Sequence, residues 1–252
     1  MAGNKTSTIS SFGLKATSTT KIKRLAKSTL RVHIVDGLRE AILNGDIPPG
    51  APVVESNLAE QFGVSRGPLR EAIRQLIEDG LLVTVPYTGT HVTELSVEDV
   101  REIYSIRIAF ETFAFEQIWT HRKQSFFREL NRRNAVLTNA IDAGDDRQSI
   151  TAELDLHGLA YETSGHRILL RAWIGLRGRL QLYWAAHHRA HGMRGPRRDG
   201  HDSYVEAASG TNLEKMRAEI QAHMLRGARQ TEQFLQENPS GIASTRRVTQ
   251  SP

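Results

Sequence analysis

The 252-residue sequence contains no cysteine, so neither a disulfide nor a thiolate metal site is open to it. No apolar run approaches the ~20 residues that a membrane span requires, and no charged-then-apolar leader opens the chain. A cytoplasmic protein with no membrane partner is expected. Acid is missing from residues 1–27, which hold Lys5, Lys15, Lys21, Lys23, Arg24 and Lys27 in a Ser- and Thr-rich stretch without apolar period. That composition predicts a flexible basic arm. Excess base is missing from the next segment. Residues 28–95 carry five basic side chains against nine acidic ones, net −4, in a chain that is +5 overall. Any affinity for a polyanion there must rest on where arginines are placed, since bulk charge opposes it.

What is present between Leu58 and Leu76 reads as two short helices joined by a tight turn. Leu58, Ala59 and Phe62 share one helical face, and Gly63 ends the first helix where a positive φ is tolerated. Ser65 is placed to cap the second helix, and Pro68 falls in its first turn, where a missing N–H costs nothing. Leu69, Ala72, Ile73 and Leu76 bury one side, while Arg66, Arg70 and Arg74 repeat every four residues on the other. A short helix presenting arginines from its N-terminal half suits base edges and phosphates in the major groove. An ordinary solvated face would show the same charges.

Leu30, Ile34, Leu38 and Ile42 predict a preceding helix that ends at Gly45, followed by the rigid turn Asp46-Ile47-Pro48-Pro49-Gly50. Residues 81–85 and 90–93 predict two short strands around Pro86-Tyr87-Thr88-Gly89. Together these make a winged helix-turn-helix over residues 28–93.

Ser96 then caps a long helix, with Asp99 at the capping-box position. From residue 96 to 237 the pattern is helical throughout. Breaks near Gly144 and Gly165, and a basic connection from His187 to Arg198, separate six antiparallel helices, the last two near 201–208 and 213–235. The fold class is therefore mainly α: an N-terminal winged helix-turn-helix plus a C-terminal antiparallel all-helical bundle, whose centre can hold a ligand. Residues 238–252 read as a disordered tail.

Within the bundle, Glu153 and His157 lie four apart and project from one helical face. His201 and His223 fall on the two closing helices. One carboxylate and three imidazoles can converge on a divalent ion such as zinc, nickel or manganese. Glu-x-x-x-His is also common on helices with no metal. His187, His188 and His191 read as solvated members of the basic connection.

Leu38-Arg39-Glu40-Ala41-Ile42, Ile47-Pro48-Pro49-Gly50, Leu58-Ala59, Gly63-Val64-Ser65-Arg66 and Leu69-Arg70-Glu71-Ala72 follow one another in the order and spacing of a known motif set. The sequence resembles the GntR family of bacterial transcription regulators. The resemblance implies that Arg39, Arg66 and Arg70 contact operator DNA, with Ser65 opening the recognition helix, and that Gly89, Thr90 and His91 approach DNA on the wing. Gly67 departs from the family, which usually has threonine or another polar residue there. The helical domain resembles the FCD domain of the FadR-like branch, where an acid, a histidine four residues later and two histidines about 22 apart bind a metal. The resemblance thus implies Glu153, His157, His201 and His223 as ligands, with Glu153 standing where aspartate is usual. His166 replaces a common asparagine after Ser-Gly, as a helix cap and a further polar group at the cavity. Arg107 matches an arginine that faces the cavity, where it can grip a ligand carboxylate. An i, i+4 ion pair with Glu111 is the competing reading. Tyr104, Trp173 and Tyr183 are either pocket walls or core.

The function these features imply is a homodimeric repressor. Its affinity for operator DNA is set by a small carboxylic acid bound near the metal. Three alternatives use the same residues: metal-independent effector binding around Arg107, a metalloenzyme fused to a DNA-binding module, and an architectural DNA-binding protein. No His-Glu-x-x-His motif or second carboxylate placed as a base supports the enzyme.

Overall fold

The computed structural model describes residues 27–94, 96–191 and 197–237. Helix α1 (Lys27–Asn44) forms on the four-residue repeat of Leu30, Ile34, Leu38 and Ile42, and the last three are buried. It stops at Gly45, whose φ of 84° a side chain would resist. The arm expected at residues 1–27 lies outside the described residues apart from Lys27, which opens α1.

Helix α2 (Glu55–Gln61) and helix α3 (Arg66–Glu78) form the helix-turn-helix, with Gly63 at φ 62° between them. Ser65 occupies the N-cap of α3 with an extended backbone, yet its side chain makes no capping hydrogen bond, contrary to expectation. The reason is local. A capping oxygen accepts from the second or third helical N–H; the third residue here is Pro68, which has none, so only that of Gly67 is left to it. Strands β1 (Leu82–Val85) and β2 (Gly89–Val92) pair antiparallel with Leu82 opposite Val92, each bounded within a residue of expectation. Ile34, Leu38, Leu69, Ala72, Leu76, Leu81 and Val92 fill the core beneath them.

Ser96 closes a full capping box with Asp99 and starts helix α4 (Val97–Ile118). After the 3₁₀ turn Trp119–His121 come α5 (Gln124–Asp142), α6 (Asp146–Thr163), α7 (Arg167–His191), α8 (Asp202–Ser209) and α9 (Leu213–Glu237). Helix α4 packs against both α6 and α9, which brings the helices carrying Arg107, His157 and His223 together. Helix α7 runs on to His191, so the expected connection from His187 starts too early; residues 192–196 and the tail at 238–252 lie outside the described residues.

One helix serves both halves of the molecule. Trp173, Leu180 and Tyr183 of α7 belong to the bundle core, while Leu182 is buried in the core of the winged module. Two glycines make the contact close enough. A methyl placed on Gly178 would sit 1.7 Å from the carbonyl oxygen of Asp79, and one on Gly80 would sit 2.2 Å from that of Gly175. Backbone therefore meets backbone at the C-terminal end of α3. Arg147 on α6 and Glu40 on α1 add an exposed ion pair at 3.0 Å. Among the described residues, no helix is long and apolar enough to cross a membrane.

Candidate metal centre and nucleic-acid interface

Glu153 and His157 lie one turn apart on α6, facing inward because Ala152, Leu154, Leu156, Leu159 and Ala160 bury that helix on most of its circumference. His201 sits at the N-cap position of α8, and His223 lies near the middle of α9. The bundle brings the four together: one ligand atom from each lies within 4.8 Å of every other. The imidazole centroids are 5.3 Å (His157–His201), 5.0 Å (His157–His223) and 4.7 Å (His201–His223) apart.

His157 Nε2, both ring nitrogens of His201, and His223 Nδ1 are buried without a hydrogen-bond partner among the described residues. Nε2 of His201 lies 3.4 Å from Glu153 Oε1, near enough for charge attraction but without hydrogen-bond alignment. Leaving several polar atoms unsatisfied in one place costs about 1–3 kcal/mol each, a penalty a bound cation would remove. The donor set, three nitrogens and one carboxylate oxygen, suits a divalent transition metal. These residues fit such an ion.

Electrostatics prepares the ligands for it. Burial, then the positive charge of Arg107 and the neighbouring His201, push the His157 pKa well below the ordinary histidine value. Burial, then His157 and His201, push His223 down in the same way. Both rings are thus neutral at physiological pH, the form that ligates metal. Burial alone would raise the Glu153 carboxyl, but His201, His157 and Arg107 hold it net below its usual value, so it is ionised.

Beside this cluster lies a cavity of about 430 Å³, lined by Glu153, His201 and His223 with Arg107, Tyr104 and Tyr183 among others. Arg107 is 2% exposed, and its Nε and Nη2 have no partner. Its guanidinium lies near the rings of Tyr104 (5.5 Å) and Trp173 (5.3 Å). Arg107 Nη2 and Glu111 Oε2 are 4.0 Å apart, both buried, so neither expected reading excludes the other. The arginine is charge-balanced on its own helix and keeps donors for the cavity. Tyr104 and Tyr183 prove to be walls, and Trp173 is core, stacked on Tyr161 at 4.7 Å. His166 is corrected. It caps α7 by accepting from Leu169 N–H (3.2 Å), packs edge-on against Phe113, and is exposed, so it does not reach the cavity.

Sequence reasoning named Glu111 only as a partner for Arg107. The structure shows it within hydrogen-bond distance of His157 Nδ1 (2.9 Å) and accepting from Tyr204 Oη (2.5 Å). A signal existed: Glu111 interrupts the stripe Val100, Ile103, Tyr104, Arg107, Ala114 that α4 buries. An acid on a buried stripe needs a partner inside.

On the winged module, Arg66 is exposed and makes no ion pair among the described residues, as a DNA-facing side chain should be. Arg70 is 59% exposed and holds Glu55 at 2.8 Å, while Arg74 holds Glu71 at 2.8 Å. Arg39, expected to contact operator DNA, has acidic neighbours of its own. It is partly covered, ion-paired to Asp79 and within 3.5 Å of Asp36, beside the contact between α3 and α7. His91 points back into the wing, one ring nitrogen 3.2 Å from Gly50 O and the other 3.2 Å from Thr88 O. It braces the loop that Gly89 (φ 97°) turns. At the wing tip Tyr87, which sequence reasoning passed over, is fully exposed at φ 66°.

The model of "Bacterial regulatory proteins, gntR family" matches residues 30–92, and that of the FCD domain matches residues 102–226, so each candidate site falls inside one matched region. The chain is 37% identical over 133 residues to an uncharacterised HTH-type transcriptional regulator of Bacillus subtilis, covering 52% of this chain and 59% of that one. It is 32% identical over 154 residues to a probable D-xylose utilization operon transcriptional repressor of Paenarthrobacter nicotinovorans, covering 61% and 68%. The chain therefore spans 59% and 68% of these relatives' lengths. The solved structure of Escherichia coli McbR/YncC has the same fold, with a TM-score of 0.64, 24% identity, and coverage of 81% of this chain and 97% of that one. The matched families and relatives are regulators, not enzymes. With a winged helix-turn-helix followed by an FCD domain, the chain belongs to the GntR family of bacterial transcription regulators.

Proposed function

We propose that this protein is a homodimeric repressor acting in the cytoplasm. Its two winged modules bind two half-sites of an operator, and a small carboxylic acid releases it. The acid occupies the bundle cavity beside a divalent ion held by Glu153, His157, His201 and His223. The observation that carries this reading is the buried cluster of unpartnered ring nitrogens opening, beside the two free donors of Arg107, into one cavity. A cation answers the nitrogens, and a carboxylate answers both the cation and the guanidinium. The relative named as an operon repressor supports the direction of control.

Helix α7 supports a route between the sites. Tyr183 and Trp184 line the cavity, Leu182 sits in the winged core, and Gly178 touches the end of α3. A ligand that binds the DNA-competent and incompetent arrangements unequally shifts their balance, and this helix touches both places where the two would differ.

The test is the metal content of untagged protein purified without chelator, set against a His157→Ala/His223→Ala variant. One ion per subunit in the wild type and none in the variant is expected. Carboxylates are then screened for release of a duplex selected from random sequence. An ion retained by the variant places the metal elsewhere. No ion in the wild type, even with metal supplied, leaves Arg107 alone as the effector's anchor.

A further inference from the structure

We infer that Glu111 is the positioning residue of the metal centre: it sets the tautomer of His157 and leaves Arg107 open to the cavity. The inference rests on the metal reading above and adds a residue and a task to it. A neutral imidazole carries one N–H, and which nitrogen holds it depends on what each nitrogen faces. His157 Nδ1 faces Glu111 Oε1 at 2.9 Å, and the same oxygen receives the Tyr204 hydroxyl at 2.5 Å. A carboxylate oxygen that already receives the Tyr204 hydroxyl carries no hydrogen to give the imidazole and can only accept from it. The hydrogen of His157 is therefore on Nδ1, and its lone pair is on Nε2, the buried nitrogen without a partner that belongs to the four-ligand cluster.

An acceptor behind a ligating imidazole both orients the ring and makes the forward nitrogen more basic. Glu111 is fully buried, and so is His157, so neither ring nor carboxylate can turn to solvent instead. The other oxygen, Oε2, faces Arg107 Nη2 at 4.0 Å. That distance balances the buried positive charge without taking up a donor, and Nε and Nη2 stay unpaired. A shorter contact would tie the guanidinium to its own helix. One carboxylate thus presents a histidine to the ion and an arginine to the ligand. Tyr204, at the start of α8 beside His201, locks the carboxylate in this pose from the opposite side.

The experiment uses the full-length chain and zinc alone as probe. Wild type, Glu111→Gln, Glu111→Leu and Arg107→Met are titrated with zinc, and the His157 tautomer is read from ¹⁵N shifts of the metal-free proteins. Circular dichroism and thermal melting check that each is folded. Glu111→Gln keeps the shape and weakens zinc binding about 10-fold; Glu111→Leu weakens it toward about 100-fold and gives His157 a mixed tautomer. Arg107→Met leaves zinc affinity within about 3-fold and the Nδ1–H tautomer intact. Equal zinc affinity in wild type and both Glu111 variants overturns the inference, as does an Nε2–H tautomer in the wild type. Should the wild type bind no zinc, the metal reading fails on its own, and the tautomer in metal-free wild type and Glu111→Gln still decides what Glu111 does to His157.

Discussion

The winged module and the bundle use the same charged residue types under opposite physical conditions. On α3 the arginines stand in water, and two of them lie near an acid that a phosphate can replace: Arg70 beside Glu55, Arg74 beside Glu71. Such pairs contribute little to stability and are easily broken, which is what a surface that must bind a polyanion requires. In the bundle Arg107, Glu111, Glu153, His157 and His201 are buried, and several of their polar atoms have no partner at all. There the protein bears a desolvation cost that a bound cation or ligand would offset. The first region should respond to salt and sequence, the second to metal, protons and small anions.

The sharpest way to break this contrast is to supply the ion. Zinc at about 100 times its Kd should stabilise the wild type by about 2.7 kcal/mol, read as a rise in melting temperature. The His157→Ala/His223→Ala variant should not move. A similar gain in both would mean that the buried cluster is not what binds.

Next come effects of about 1–3 kcal/mol on the two sides. Arg66→Ala and Arg70→Ala should each weaken operator binding by that amount and lower the salt slope by about 1, measured by titration at several salt concentrations. A Glu111 variant should leave the slope alone. Between the regions, Gly178→Ala should destabilise by about 1–3 kcal/mol, because its methyl collides with the Asp79 carbonyl. Gly67→Ala, with nothing within 4 Å of its added methyl, should change stability by less than about 0.5 kcal/mol. Denaturant melts would separate the two glycines.

Protons give a somewhat smaller effect. His157 and His223 are depressed in the folded state, first by burial and then by neighbouring positive groups. Below about pH 6.5 the unfolded chain binds protons that the folded chain refuses, so stability falls as pH falls. Glu111 opposes this, since burial raises its carboxyl despite Arg107 and Tyr204, and the folded state takes up that proton first. With two imidazoles against one carboxyl, the metal-free protein should lose roughly 1–2 kcal/mol between pH 7 and 5.5 in denaturant titrations. A flat profile would show that the histidines reach water. Smaller again, Tyr87→Gly should stabilise the winged module by about 0.5–1 kcal/mol, because glycine adopts a φ of 66° without the clash a side chain meets.

Much of the fold was legible because its signals are local. Ile34, Leu38 and Ile42 stack on one face of a helix, and Gly63 turns left-handed between two apolar repeats. Ser96 with Asp99 announced the start of α4, and the structure closes that capping box. Ser65 stands at the expected N-cap with an extended backbone, but without the side-chain hydrogen bond, since Pro68 removes one of the two usual donors. His166 is the helix cap that was expected, and its ring, taken by the first turn of α7, does not line the cavity. The four candidate ligand residues were legible as a spacing and, through the family resemblance, as one site; that they meet within 4.8 Å came from the fold.

The sequence by itself determined the helices and wing, the arginine face of α3, and the placing of Glu153 and His157 one turn apart. All of these follow from chain geometry within a few residues, where 3.6 residues per turn fixes what is neighbour to what. Only the tertiary structure decided that α4, α6, α8 and α9 meet at one point. It joined Glu111 to His157 across 46 residues and to Tyr204 across 93, and it gave α7 to both cores. Contacts at that separation have no period to announce them; they exist because packing apolar faces leaves the few polar side chains on those faces nowhere to go except toward each other.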